Sequence, residues 1–214
     1  MIARFLPVFF TYFLVINFVV ADETEEVISV ASYIDSSELN ASPVDIISSQ
    51  EFKNLRVSTV AELSKYLSVA SGSHFQTNAL DGVDQGMSSI TLRGLDHAST
   101  LILINKKRQT HSGTPSNEGE GYIDVNIIPE IALERIEILK DGATSLYGSD
   151  AVAGVINFNT YRAFDGLRIS ASSQKTSNYN QTDNSLGVLY GGNAFDGNFV
   201  VALSALNRSP LNAS

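Results

Sequence analysis

The sequence contains no cysteine and no tryptophan, and has only 3 histidines and 5 prolines in 214 residues. Without cysteine no disulfide can form, so an exported fold must be held by its core. That is uncommon in small animal secreted modules and ordinary in bacterial envelope proteins. Basic residues are also scarce, 14 against 23 acidic ones, for a formal net charge of −9. Such a surface repels nucleic acid backbones, so no nucleic acid partner is expected.

Catalytic and cofactor motifs are absent as well. There is no G-x-G-x-x-G, no G-x-x-x-x-G-K-[ST] and no G-x-S-x-G. No histidine follows Ser145, as the α/β-hydrolase order would require. His74, His97 and His111 lie far apart, and none stands at i, i+4 spacing. They read as unrelated surface residues rather than a metal site. Asp81, Asp84 and Asp96 lack the spacing of a calcium loop. No enzyme, cofactor or metal is expected.

The one long hydrophobic run is FLPVFFTYFLVINFVV, from Phe5 to Val20, preceded by Arg4 and followed by small residues up to Ala21. It is interrupted by Pro7 and Asn17 and is slightly short for a span of about 20 residues. Residues 1–21 are therefore predicted to be a secretory signal peptide. Loss of Arg4 with it leaves 13 basic residues against 23 acidic ones and moves the net charge from −9 to −10. Residues 22–42 are polar and acidic, and read as a flexible arm with one apolar island, Val27 to Val30.

Val44 to Ile47 reads as a short strand. Ser48-x-x-Glu51 and Thr59-x-x-Glu62 both fit a helix capping box. Val60, Leu63 and Leu67 fall on one helical face, and that helix is expected to stop near Ser71-Gly72. His74 to Gly86 reads as a loop. Ser89 to Leu95 (SITLRGL) alternates like a strand, and Leu101 to Ile104 (LILI) suits a central strand buried on both faces. The segment from Lys106 to Gly121 is a loop long enough to suggest binding. Pro129 is expected to open a helical turn before the strand Arg135 to Leu139.

The most unusual stretch is KDGATSLYGSDAVAGVINF, Lys140 to Phe158. Asp141 is expected to cap a single helical turn from Ala143 to Tyr147, and Gly148 to close it in the left-handed conformation. Gly142, Gly148 and Gly154 read as structural turn and packing positions rather than chemistry. Beyond Tyr161 three runs alternate with a period of two: Leu167, Ile169 and Ala171; Leu186, Val188 and Tyr190; Phe199, Val201 and Leu203. A hairpin turn is expected at Asp196-Gly197. Alternating strands joined by polar turns fit the start of a transmembrane β-barrel, and a soluble β-meander is the alternative.

Residues 123–160, IDVNIIPEIALERIEILKDGATSLYGSDAVAGVINFNT, resemble the C-terminal signature of the TonB-dependent receptor plug domain. SSITLRGL and LILINKKRQTHSG match its earlier strands in order and spacing, and the resemblance covers about residues 43–160. One departure is Lys106, where the family often has Gly after the Asn or Asp of a turn.

The resemblance implies an α+β plug domain at 43–160, a small mixed sheet with short helices. The first antiparallel strands of a transmembrane β-barrel, left incomplete here, would follow at 161–214. It implies the outer membrane of a Gram-negative bacterium, with the plug inside the barrel lumen and the arm in the periplasm. Glu26-Val27-Ile28-Ser29-Val30 fits a TonB box, which pairs with TonB by strand addition. Arg93 and Arg135 match plug arginines that face barrel carboxylates. The implied solute is a metal chelate or another large nutrient, such as a siderophore, vitamin or oligosaccharide. Gln76, Asn78, Gln109 and His111, on the two long loops, are the expected ligand contacts. Three strands cannot close a barrel, so a truncated or fragmentary chain is expected, incapable of transport alone. A soluble periplasmic or secreted binding module is the rival reading.

Overall fold

Residues 44–73, 86–116, 119–175, 181–194 and 197–209 are described by the structure, a computed structural model. The predicted leader and arm, most of the His74–Gly86 loop and Asp196 lie outside these residues.

Strand β1 (Val44–Ser48) runs directly into helix α1 (Ser49–Asn54). The capping box read from sequence makes that junction: the Glu51 amide donates to Ser48 Oγ, and the Ser48 amide donates to Glu51 Oε2 at 2.9 Å. The second predicted box does not form. Thr59 makes no side-chain cap, and Glu62 instead accepts from the Ser58 amide at 2.7 Å. The segment Val60–Tyr66 is accordingly a tight 3-10 helix rather than an α-helix. Its apolar residues still turn inward, with Val60 and Leu63 buried.

Ser89 to Leu95 is not a strand. The Thr91 amide donates to Ser73 Oγ, the Leu92 amide to Thr100 Oγ1 and the Arg93 amide to the Val69 carbonyl. Hydroxyls and a loop carbonyl occupy the donors that a ladder would need. Ile90 and Leu92 are buried nonetheless.

The main sheet has five strands in the order β1-β4-β5-β2-β3. It comprises β1, β2 (Thr100–Ile104), β3 (Lys107–Arg108), β4 (Leu133–Leu139) and β5 (Gly154–Thr160). β2 and β5 are parallel, and the other neighbours are antiparallel, which makes the sheet mixed. Alternation along β4 and β5 gives two buried faces. Ile136, Ile138, Ile156 and Phe158 pack with Phe52, Val60, Leu63, Leu92 and Val125. On the other face, Leu101, Leu103, Leu139 and Val155 meet Ala143 and Ala151. The LILI run is central and buried, as its lack of polar interruption predicts.

Asn105 and Lys106 join β2 to β3 in two residues, with φ of 51° and 66°. Positive φ at both positions is the pattern of a type I′ hairpin. Lys106 thus adopts a conformation that favours glycine.

The second sheet is an antiparallel meander: β6 (Gly166–Lys175), β7 (Thr182–Ala194) and β8 (Gly197–Arg208). Register places Ile169, Val188 and Leu203 in one cross-strand row, and Leu167, Tyr190 and Val201 in the next. This apolar face is open: Leu167, Ile169, Leu186, Tyr190, Val201 and Leu203 are all exposed. The opposite face meets the first unit. Leu189 is fully buried, and Gly187 leaves room for Ile131, whose atoms would stand 3.2 Å from an added Cβ.

Candidate functional site

The stretch 140–158 crosses from β4 to β5 around the single-turn helix α2 (Thr144–Tyr147). Asp141 does not cap this helix. Ala143 occupies the N-cap position and no side chain caps it. The turn is held instead by backbone, with the Ala143 amide donating to the Ala151 carbonyl at 2.9 Å. Gly148 closes the helix at φ 84° and ψ −170°. That is not the left-handed well predicted for it but the extended region at positive φ, which is essentially confined to glycine. Gly154 lies at φ 143°, and a Cβ there would collide with the Leu139 carbonyl and stand 2.8 Å from Leu92 Cδ1. At Gly142 a Cβ would meet the Val152 carbonyl oxygen at 3.0 Å. Ser145 is exposed on α2, and among the described residues no histidine bonds to it.

Arg108 ties this stretch to the edge strand. Its guanidinium donates to Asp150 Oδ2 and to the Tyr147 carbonyl. That contact holds the Asp150 carboxyl below the usual carboxylate range. Neither residue stands out in the sequence, because they are far apart in the chain.

Of the predicted ligand contacts, Gln76 and Asn78 lie outside the described residues. Gln109 donates to the Lys107 carbonyl at 2.9 Å. Gln109 and His111 line a small pocket of about 50 Å³ with His97, Ser89, Arg108 and Asp150. His97 accepts or donates at 2.8 Å with Ser89 Oγ and meets Tyr122 edge-on. Two histidines that read as unrelated in sequence thus share one pocket. Among the described residues no group of three acidic or histidine side chains could hold a metal.

Arg93 has φ 58°, and its guanidinium donates to the Ala153 and Val152 carbonyls at 3.0 and 3.4 Å. Arg135 donates to Glu137, whose side chain is 0% exposed. Glu137 also accepts from Asn157 Nδ2 at 3.0 Å, and Asn157 in turn donates to Asn159. A buried polar ladder therefore crosses β4 and β5, which the alternation of RIEIL does not reveal. The partners seen here for both arginines belong to the five-stranded unit. Glu26 to Val30 lie outside the described residues.

The two sheets are joined at several points. Tyr161 Oη donates to Ser49 Oγ at 3.1 Å, and Arg168 Nη1 donates to Tyr161 Oη at 3.0 Å. Gln174 Nε2 donates to the Arg56 carbonyl at 3.0 Å, and Arg208 pairs with Glu62 at 3.7 Å and Asp183 at 2.7 Å. Between these contacts lies a cleft of about 660 Å³, bounded by α1 on one side and β6 and β7 on the other.

Residues 37–155 match the family model described as TonB-dependent Receptor Plug Domain. An iron-regulated outer membrane virulence protein of Vibrio cholerae is 43% identical over 74 residues, which is 34% of this chain and 11% of that protein. The vitamin B12 transporter BtuB of Vibrio vulnificus is 30% identical over 145 residues, covering 62% of this chain and 23% of the relative. The crystal structure of the siderophore receptor PirA from Acinetobacter baumannii superposes with a TM-score of 0.57 at 24% identity. It covers 76% of this chain and 24% of that one, a likeness of fold. The chain thus spans less than a quarter of the length of these relatives.

Proposed function

Because the chain belongs to the TonB-dependent receptor plug family, we propose that it supplies the plug and first wall strands of an outer-membrane uptake receptor. The observation that carries this reading is the unequal pair of faces on β6–β8. One face packs on the plug at Ile131 and Leu189, and the other offers a continuous apolar surface. Apolar-out, plug-facing-in alternation is what a barrel wall in lipid requires. A soluble meander would leave that face in water at a cost of about 25 cal/mol per Å² of apolar area.

Residues 43–160 form the plug in this reading, and strands from 161 onward belong to the wall. Closure needs further strands, because an open edge in lipid leaves backbone groups unpaired at several kcal/mol each. The solute is a metal chelate or another large nutrient. Gln76, Asn78, Gln109 and His111 contact it, and Arg93 and Arg135 stand toward carboxylates of the wall. Glu26 to Val30 pair with TonB in the periplasm as an added strand, which couples uptake to the inner membrane. The stretch 140–158 carries turns, not a nucleophile, so binding and transport proceed without covalent chemistry.

The test is Ile28→Pro in the membrane-assembled receptor. Proline removes a backbone donor and fixes φ, which breaks strand addition. Solute binding is expected to persist while energised uptake is lost. Uptake at the normal rate contradicts the assignment.

A further inference from the structure

The plug element that packs most closely on β7 and β8 is the short 3-10 turn Glu130–Ala132, opened by Pro129. Backbone bonds hold the turn in place. The Ala132 amide donates to the Pro129 carbonyl and the Tyr161 amide to the Ala132 carbonyl, both at 3.0 Å. Ile131 is buried and lies over Gly187, where an added Cβ would meet its side chain at 3.2 Å. The wall residues around this contact carry no charge. Register puts Gly187 beside Ser204 and Leu189 beside Ala202, all on the plug-facing side of the sheet.

Glu130 brings a carboxyl group to this apolar joint. It is half-buried and lines the cleft, and among the described residues no cation stands within ion-pair distance of it. Burial raises its proton affinity, and the bond it accepts from its own backbone amide offsets only part of that effect. The cations that share the cleft are Lys53 and Arg56 from the plug and Arg168 on β6. Arg168 is engaged elsewhere, 5.2 Å from the Tyr161 ring centroid and 4.9 Å from that of Phe164. Lys53 is itself less readily charged, because of burial and then the neighbouring Arg168. On the strand that follows the turn, Glu134 pairs with Arg135 at 3.9 Å. Further along the wall, Arg208 pairs with Asp183 at 2.7 Å and with Glu62 at 3.7 Å.

We propose that Glu130 makes the plug–wall joint pH-sensitive: the neutral carboxyl lets the turn seat on β7 and β8, and the ionised one loosens it. A carboxylate without a counter-ion loses water when the turn seats, so the seated joint holds a proton that the loosened joint releases. Because seating raises the proton affinity of Glu130, the added stability is complete below the ordinary glutamate range. It is lost as pH rises through the raised value. Lys53 acts in the opposite sense, at alkaline pH. The inference goes beyond the receptor reading, since it needs only the contact between the turn and β7–β8. Within that reading, acidification seats the plug more firmly against its wall.

The experiment is amide exchange on the full-length protein in native outer-membrane vesicles, read as protection relative to the intrinsic rate at each pH. Peptides covering residues 129–133 are compared with β2 as an internal control, at mildly acid and at neutral pH. Wild type is expected to protect 129–133 several-fold more in acid, with β2 unchanged. Glu130→Gln keeps the shape and removes the charge, and is expected to show the acid level of protection at both pH values. Glu130→Asp keeps a titrating carboxyl and is expected to retain a pH dependence. Equal protection of 129–133 at the two pH values in wild type overturns the inference, and that result needs no variant. So does a change of the same size in β2, which marks a general effect of pH. A pH dependence that persists in Glu130→Gln also overturns it, because the titrating group then lies elsewhere. Ile28→Pro tests the receptor reading and leaves this profile unchanged, so either can fail without the other.

Discussion

The five-stranded sheet buries both of its faces, whereas β6–β8 buries one and leaves the other open. Both are built from alternating strands, so the difference lies in what fills each face. In β4 and β5, one row of side chains is Ile136, Ile138, Ile156 and Phe158, and the other runs from Leu139 and Val155 into Glu137 and Asn157. Helices and turns of the plug cover both rows. In β6–β8 the outward row is as apolar as a core, with Leu203 65% exposed, and no described residue covers it. In the receptor reading proposed above, lipid is the solvent of that face. The plug is a folded core, and the strands after it are a wall.

The largest effect is expected where the plug backbone is tightest. Gly154→Val adds side-chain atoms against the Leu139 carbonyl and Leu92, at a φ that valine rarely adopts. Strain and overpacking together should cost about 3–5 kcal/mol. Limited proteolysis of the assembled receptor should then cut the plug while the wall stays intact. A protected plug would show that this close approach does not matter.

Leu203→Lys probes the wall instead. On a lipid-facing strand near mid-depth a lysine costs about 2–4 kcal/mol, and the same change in water costs almost nothing. Reduced assembly into the outer membrane is the expected reading, measured by the shift in gel mobility on heating. Normal assembly would return β6–β8 to the soluble alternative.

Gly148→Val should cost about 1–3 kcal/mol, because φ 84° with ψ −170° is nearly closed to a β-branched residue. Ser145→Ala, three residues away, should be silent in both urea unfolding and uptake. Ser48→Ala is the smallest of the set, about 1 kcal/mol for loss of one capping interaction. Its effect should appear as a lowered urea midpoint of the plug with uptake unchanged at low temperature. A larger loss of uptake than of stability would mean that the β1–α1 junction has a role in uptake beyond folding.

Legibility in the sequence tracked how local each interaction is. LILI announced a central strand because an unbroken apolar run has few other places to go. The Ser48 capping box spans three residues and formed as read. SITLRGL alternates like a strand but forms none, since its amides bond to Ser73, Thr100 and Val69, partners set by the tertiary fold. Asp141 failed as a cap because the backbone of Ala151 arrives first. Glu137 looked like an ordinary polar position in RIEIL, and only the pairing of β4 with β5 shows it enclosed by Arg135 and Asn157. The shared pocket of His97 and His111, and the cation-lined cleft, arise from elements distant in the chain. No spacing rule could have found them. The plug itself is legible because several separate motifs agree in order: SSITLRGL, LILINKKRQTHSG and the stretch 123–160.

In the receptor reading, β8 separates lipid from plug residue by residue. Single cysteines placed in turn at Phe199, Val200, Val201, Ala202, Leu203 and Ser204 carry a fluorophore in the assembled receptor, and a quencher dissolved in the lipid is added. Register puts Phe199, Val201 and Leu203 on the open face. The account predicts strong quenching at these three and weak quenching at Val200, Ala202 and Ser204. Uniform quenching along the strand, or none at any position, would contradict it.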